Sequence, residues 1–217
     1  MTGVGVMAGK KVIPSMVKDE KLIKKRREQM IKGAVSLFIE KGFHRTTTRE
    51  IAKQSGFSIG TLYEYIGTKE DVLYLVCDSI YDEVMESVKR LLDETGTPLD
   101  RLKIAIRSYL KVVDEKQDEV LVMYQETKSL PKETLPYVLK KELEMVTLME
   151  SFIVACVQNG DLQLSDKEQH LLAHNILVLG QMWTFRRWSM QKELDIDEYS
   201  QLQIKQLLAS YALSDSQ

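Results

Sequence analysis

Residues Thr46–Lys69 read TTTREIAKQSGFSIGTLYEYIGTK, two short helices joined by a tight turn. Thr47 is followed three residues later by Glu50, a capping box in which the Thr hydroxyl accepts from a free backbone N–H and the Glu side chain returns the bond. Ile51 and Ala52 give the first helix its buried side. Gly56 ends it, because the residue just past a helix end commonly needs a positive φ. Ser58 caps a second helix that the spacing carries to Tyr65, with Ile59 and Leu62 on one face. Gly67 closes that helix, and Thr68 with Asp71 opens the next. Helices this short are not stable alone. They need flanking helices as a platform, and such a pair is built so that its second helix enters the major groove of DNA.

The platform is legible on both sides. Residues 21–41 form a long helix with Ile23, Met30, Ile31, Ala34, Leu37 and Phe38 at helical spacing, stopped by Gly42. Another runs from Lys69 to about Leu92, with Val72, Leu73, Val76, Ile80 and Val84 on one face. Helices follow at about 98–115, 117–128, 132–158, 165–190 and 196–213, with no alternating strand-like segment. Thr97 caps, and Pro98 takes a first helical position. Ser165 with Glu168 is a second capping box. The expected fold is all-α with about nine helices: a disordered basic lead over 1–20, a helix-turn-helix head over 21–68, and a helical effector-binding and dimerisation body over 69–217.

The quoted run resembles the DNA-binding domain of the tetracycline-repressor (TetR/AcrR) family of bacterial transcription regulators. The matching residues are Ala34, Leu37, Phe38, Gly42, Phe43, Thr47, Thr48, Ile51, Ala52, Gly56, Ser58, Gly60, Thr61, Leu62, Tyr63, Tyr65, Lys69 and Glu70. Ile66 departs from the family's usual Phe but keeps a large apolar side chain. The resemblance implies a repressor that binds a palindromic operator as a dimer and is released when its body takes up a small molecule.

In the head, Gly60 lets the second helix sit close to DNA. Thr61, Tyr63 and Tyr65 offer hydroxyls to phosphates, and the Tyr63 ring suits a thymine methyl. Ile59 faces either a thymine methyl or the head's own core. Thr47 and Thr48 lie at a helix start, where exposed N–H groups favour a phosphate. Arg49 suits a guanine edge or the backbone, and Lys69 pairs with a phosphate as a point charge. With the cap Ser58, these residues make up the DNA-binding set. The resemblance implies use of these same positions.

Charge supports a DNA-reading head. The net charge is only −2. Up to Val72, however, fourteen Lys and Arg stand against eight Asp and Glu, whereas the remainder carries 16 against 24. A cationic head on an acidic body favours DNA at one end only. Lys10, Lys11, Lys18, Lys21, Lys24, Lys25, Arg26 and Arg27 make the approach basic, either as an arm touching phosphates or the minor groove or as a solvated charge run. Met7 and Met16 are alternative starts to Met1. No apolar run is long enough to span a bilayer, no secretory leader is evident, and Cys77 and Cys156 read as reduced core thiols. A cytoplasmic protein is expected.

Two heads at fixed spacing read a near-palindrome far better than one, so a homodimer is expected. Leu171–Trp188 is apolar nearly all round, which suits packing on both its own body and a partner. Ile204, Leu207, Leu208 and Tyr211 would extend that seam. The alternative is a wholly internal helix. For an apolar or amphipathic effector, Met123, Tyr124, Met149, Phe152 and Trp183 are flexible or aromatic lining residues. Arg186 and Arg187 suit an anion such as a fatty acyl-CoA, or else an ion pair across the dimer seam.

The rival readings are a metal-binding protein or a lipid carrier that does not touch DNA. His170 and His174 share a helix face at a spacing that can hold a metal, but a third ligand is not evident and HExxH is absent. No nucleophile elbow, glycine-rich phosphate loop or CxxC pair appears. The expectation is a non-enzyme without cofactor or bound metal, and with no membrane partner.

Overall fold

A computed structural model describes residues 10–93, 95–209 and 211. The expectation of disorder at residues 1–9 lies outside these residues. Among those described there are ten α-helices and no strand. They are α1 (Glu20–Lys41), α2 (Thr48–Gln54), α3 (Ile59–Tyr63), α4 (Lys69–Lys89), α5 (Pro98–Glu115), α6 (Gln117–Glu126), α7 (Leu135–Asn159), α8 (Asp166–Phe185), α9 (Arg187–Met190) and α10 (Ile196–Ala209). The chain divides into two compact units: Met1–Ser79 with Leu121–Lys141, and Ile80–Val120 with Glu142–Gln217. The first unit therefore holds the head, the first half of α4, most of α6 and the start of α7.

In the first unit, Asp19 caps α1 by accepting from the Leu22 N–H at 3.1 Å. Met30, Ala34 and Phe38 of α1 are buried together with Ile51 and Ala52 of α2 and Leu62 of α3. Each of the larger side chains, Met30, Phe38, Ile51 and Leu62, contributes about 1.5–3 kcal/mol on burial. Phe43 meets Phe38 edge to face, ring centroids 5.1 Å apart. Gly56 takes φ 77°, as the turn between α2 and α3 requires.

The lead is not disordered where it is described. Ile13 is buried, and Lys10 and Lys11 form ion pairs with Asp78 and Asp71. Of the charge run, Lys10 and Lys11 fold back onto α4, whereas Lys18, Lys21, Lys24 and Lys25 are exposed.

In the second unit, α5 is the helix against which α8 and α10 pack. Thr97 accepts from the Asp100 N–H at 3.1 Å, with Pro98 in the first turn. Polar ties link the helices. Tyr109 Oη donates to the Leu177 carbonyl at 2.7 Å, Trp183 Nε1 to Asp114 at 2.7 Å, and Tyr199 Oη to the Leu179 carbonyl at 2.8 Å. Cys77 and Cys156 are buried and reduced. Burial, with Asp161 nearby, pushes the Cys156 thiol up to about 12, so it is unreactive at neutral pH.

The helix expected over 165–190 is broken at Arg186, whose backbone leaves helical geometry (φ −104°, ψ 14°). This is why ten helices stand where about nine were expected. α10 also differs in its facing. Ile204 and Leu208, expected at a partner seam, are buried within the protomer because this face of α10 packs on α5, while Leu202 points outward. The expected stretch beyond Ala209, Tyr211 apart, lies outside the described residues.

The α5–α8 contact is tight at Gly180. A Cβ added there would overlap Tyr109 Oη and press on its ring and on Val113. Gly180→Ala is expected to destabilise the protein by about 1–3 kcal/mol through overpacking, read as a lower urea midpoint at unchanged slope. Combining it with Tyr109→Phe should recover part of the loss.

Candidate nucleic-acid interface

The capping box at the start of α2 is complete. The Thr47 N–H and hydroxyl donate to Glu50 Oε2 at 2.9 and 2.7 Å, and the Glu50 N–H donates to Thr47 Oγ1 at 3.3 Å. Lys41 pairs with the other Glu50 oxygen. Bonds from Lys41 and Thr47 hold the Glu50 carboxyl down at about 2, so this cap stays ionised well below neutral pH. On α3, Ser58 accepts from the Thr61 N–H at 3.0 Å, and the two hydroxyls lie 3.0 Å apart.

These caps set the outer face of the pair. Tyr63 Oη lies 3.1 Å from Thr48 Oγ1, joining the end of α3 to the start of α2. Thr47, Arg49, Ser58, Gly60 and Tyr63 are exposed, and Thr48, Ile59 and Thr61 are half-buried. Exposed Arg45 and Lys53 stand on the same segments. The result is a surface of hydroxyls and cations, with one ring 48% exposed at Tyr63. Such a surface suits phosphate oxygens and base edges.

Two expected contacts fall elsewhere. Tyr65 is 4% exposed. α3 ends at Tyr63, and the chain turns so that the Tyr65 and Ile66 N–H groups both donate to the Leu62 carbonyl. That turn puts the Tyr65 ring in the core. Lys69 is a staple of the head. Its ammonium donates to the carbonyls of Phe43 (2.9 Å), His44 (3.3 Å) and Thr46 (3.1 Å), and lies 4.5 Å from the Phe43 ring centroid. An ammonium has three donors. All three are directed at carbonyls of the α1–α2 loop.

The residues expected at an effector site fall in both units. Met123 and Tyr124 belong to the first unit, whereas Met149, Phe152 and Trp183 belong to the second. Met123, Met149, Phe152 and Trp183 are buried and Tyr124 is half-buried. Trp183 is a structural anchor, bonded to Asp114 and 4.7 Å from the Tyr199 ring. Arg187 pairs with Asp118 at 2.5 Å inside the same protomer. Arg186 is exposed and stacks over Trp188 at 5.4 Å. His170 and His174 meet edge to face at 4.7 Å, and His170 Nδ1 lies 3.4 Å from Glu150. Among the described residues, no group of three or more metal-ligating side chains comes together.

An all-helical chain with this capped helix pair, carrying hydroxyls and cations on its outer face, is a helix-turn-helix DNA-binding protein. Comparison with known proteins makes this specific. The family model for bacterial regulatory proteins of the tetR family matches residues 30–74, and that for the tetracyclin repressor-like C-terminal domain matches residues 95–191. The HTH-type transcriptional regulator HbdR of Aromatoleum sp. (strain CIB) is 30% identical over 193 residues, 89% of this chain and 83% of that protein. A tetR-family regulatory protein from Rhodococcus RHA1 superposes with TM-score 0.78 at 23% identity, over 88% of this chain and 99% of that one. AibR, solved with isovaleryl coenzyme A and operator DNA, superposes with TM-score 0.71 at 20% identity, over 83% of this chain and 97% of that one. The chain belongs to the tetR family and is a ligand-responsive, DNA-binding transcriptional regulator.

Proposed function

We propose that this protein is a cytoplasmic repressor that binds a near-palindromic operator as a homodimer and is released by an amphipathic anion of the acyl-CoA class. The observation that carries the DNA reading is the joined outer face of α2 and α3, with Thr48, Arg49, Thr61 and Tyr63 presented together. Thr47 and Ser58 hold the two helix starts, Gly60 allows close approach, and Ile59 supplies the apolar contact. No helix among the described residues is long and apolar enough to cross a membrane, which is consistent with such a location.

The pairing surface is the outer stripe of α8. Leu171, Val178 and Phe185 are exposed at seven-residue spacing, which places them on one helix face. Trp188 and Leu202 are exposed as well. A seam through α8 and α10 would cover these side chains.

The acyl-CoA assignment draws on AibR and on the apolar interior of the second unit around Met149 and Phe152. A ligand that fits only the form with wrongly spaced heads lowers operator affinity by its differential affinity.

A duplex selected by the protein from a randomised library tests this reading. The selected site is expected to be a near-palindrome. With about eight phosphate contacts per dimer, affinity should fall by roughly four orders of magnitude between 50 and 200 mM salt. Adding isovaleryl-CoA or longer acyl-CoA thioesters should free the duplex, whereas CoA alone should not. Failure to select any duplex overturns the DNA reading. Retention of the duplex under every thioester overturns the effector class alone.

A further inference from the structure

α3 is only five residues long, so the carbonyls past its end have no continuing helix to satisfy them. They are met by the segment before α1 and by α1 itself. Ser15 Oγ and the Met16 N–H both donate to the Glu64 carbonyl at 2.9 Å. Arg27 of α1 donates to the Tyr65 carbonyl through Nε and Nη2, at 3.1 and 3.0 Å, and through Nη2 to the Ile13 carbonyl at 2.7 Å. Ile13 itself is 6% exposed.

The same segment is anchored at its other end on α4. The Lys11 N–H donates to Tyr74 Oη at 2.9 Å, and the Lys11 ammonium pairs with Asp71 at 2.5 Å. Asp71 also accepts from the Gly67 and Thr68 N–H groups at 2.9 Å, which fixes the entry to α4. Burial pushes the Asp71 carboxyl up, but the bonds from Lys11, Thr68 and Gly67 outweigh it and leave it below the usual range. Lys10 pairs with Asp78 at 2.7 Å, and Asp78 also accepts from Tyr137 Oη at 2.8 Å. One short stretch therefore grips both the end of the reading helix and the first turns of α4.

We propose that residues 10–16 are a strap that positions the reading helix α3 against α4, and that Lys10 and Lys11 act through Asp78 and Asp71 and not by touching phosphate. The proposal rests on the DNA-binding reading of α2 and α3. Base readout needs a site held to within about 0.5 Å by its supporting residues. A five-residue helix cannot hold itself so closely. Without the strap only a fraction of heads sit in the binding geometry, and operator affinity falls by that fraction. Two other roles have different signatures. An arm on the DNA would add phosphate contacts, and a merely stabilising segment would leave the affinity of the folded protein unchanged.

The test uses full-length Ile13→Asn, which unseats the strap without altering charge, together with Lys11→Ala and Lys11→Arg. Affinity for the duplex selected by the wild type is measured across a salt series, at a temperature where circular dichroism shows each variant folded. Ile13→Asn and Lys11→Ala are expected to bind roughly tenfold more weakly, with the wild-type salt slope, and Lys11→Arg to bind close to wild type. A slope reduced by about 0.9 for each Lys11 removed would place that lysine on phosphate and overturn the proposal. So would unchanged affinity in folded Ile13→Asn. If Ile13→Asn does not fold, Ser15→Ala replaces it, with a weaker loss of about threefold expected for one of the two donors to Glu64; no loss there counts against the strap. A wild type that selects no duplex would strike the underlying DNA reading and not the strap.

Discussion

Tyr63→Ala should reduce affinity for the selected duplex by about three orders of magnitude while leaving fold and dimer intact. Tyr63 is the largest exposed side chain on the outer face of α3, and its hydroxyl is aligned by Thr48. A side chain lost from a base or phosphate contact costs about 1–3 kcal/mol. A twofold complex loses the contact twice, which gives about 4 kcal/mol in all, or a factor near a thousand. The substitution opens no cavity, because the ring is not in the core. Its effect on the unfolding midpoint should stay within the range of a surface change, about 0.5 kcal/mol. Tyr63→Phe separates ring from hydroxyl: if the hydroxyl positions Thr48 or a phosphate, Phe recovers only part of the loss. Tyr65→Phe is the control, since Tyr65 faces inward and should leave operator affinity nearly unchanged. A Tyr63→Ala protein that binds normally would show that DNA is read elsewhere.

What could be read beforehand follows from the range of the interactions involved. The helix starts at Thr47, Ser58, Thr97 and Ser165 are local chemistry over three residues, and all four are present as caps. The apolar spacing of α1 likewise placed Met30, Ala34 and Phe38 in the core. Tyr65 was misplaced for a reason open to correction. It stands three residues after buried Leu62, so helical phase alone assigns it to the inner face. Lys69 and Arg187 are different. Their partners are carbonyls more than twenty residues away and an aspartate 69 residues away. The strap is a further case, with Lys11 and Asp71 separated by 60 residues. Its local half, Thr68 with Asp71, was visible; the lysine that completes it was hidden in a charge run with no period to mark it.

Val178→Asp should convert the protein from dimer to folded monomer and, through that alone, abolish tight operator binding. Val178 lies midway along the exposed stripe of α8, between Leu171 and Phe185, and is 51% exposed in the protomer. The change should therefore cost the isolated fold little. In a seam related by twofold symmetry the same side chain occurs twice on one patch. Two carboxylates would then lose water in an apolar surround with no cation to pair with, at several kcal/mol each. Light scattering should report about 25.0 kDa, the mass of one chain, where the wild type gives twice that value. Each lone head keeps its contacts but loses the linkage that makes the second engagement intramolecular, worth a factor of 10² to 10⁴. The outward leucines of α7 allow a discriminating control. Leu143→Asp alters an equally exposed apolar side chain and should leave the dimer whole if α8 forms the seam. The opposite pattern, with Val178→Asp dimeric and Leu143→Asp monomeric, would move the seam to α7. A monomeric Val178→Asp with undiminished affinity would remove paired heads from the mechanism.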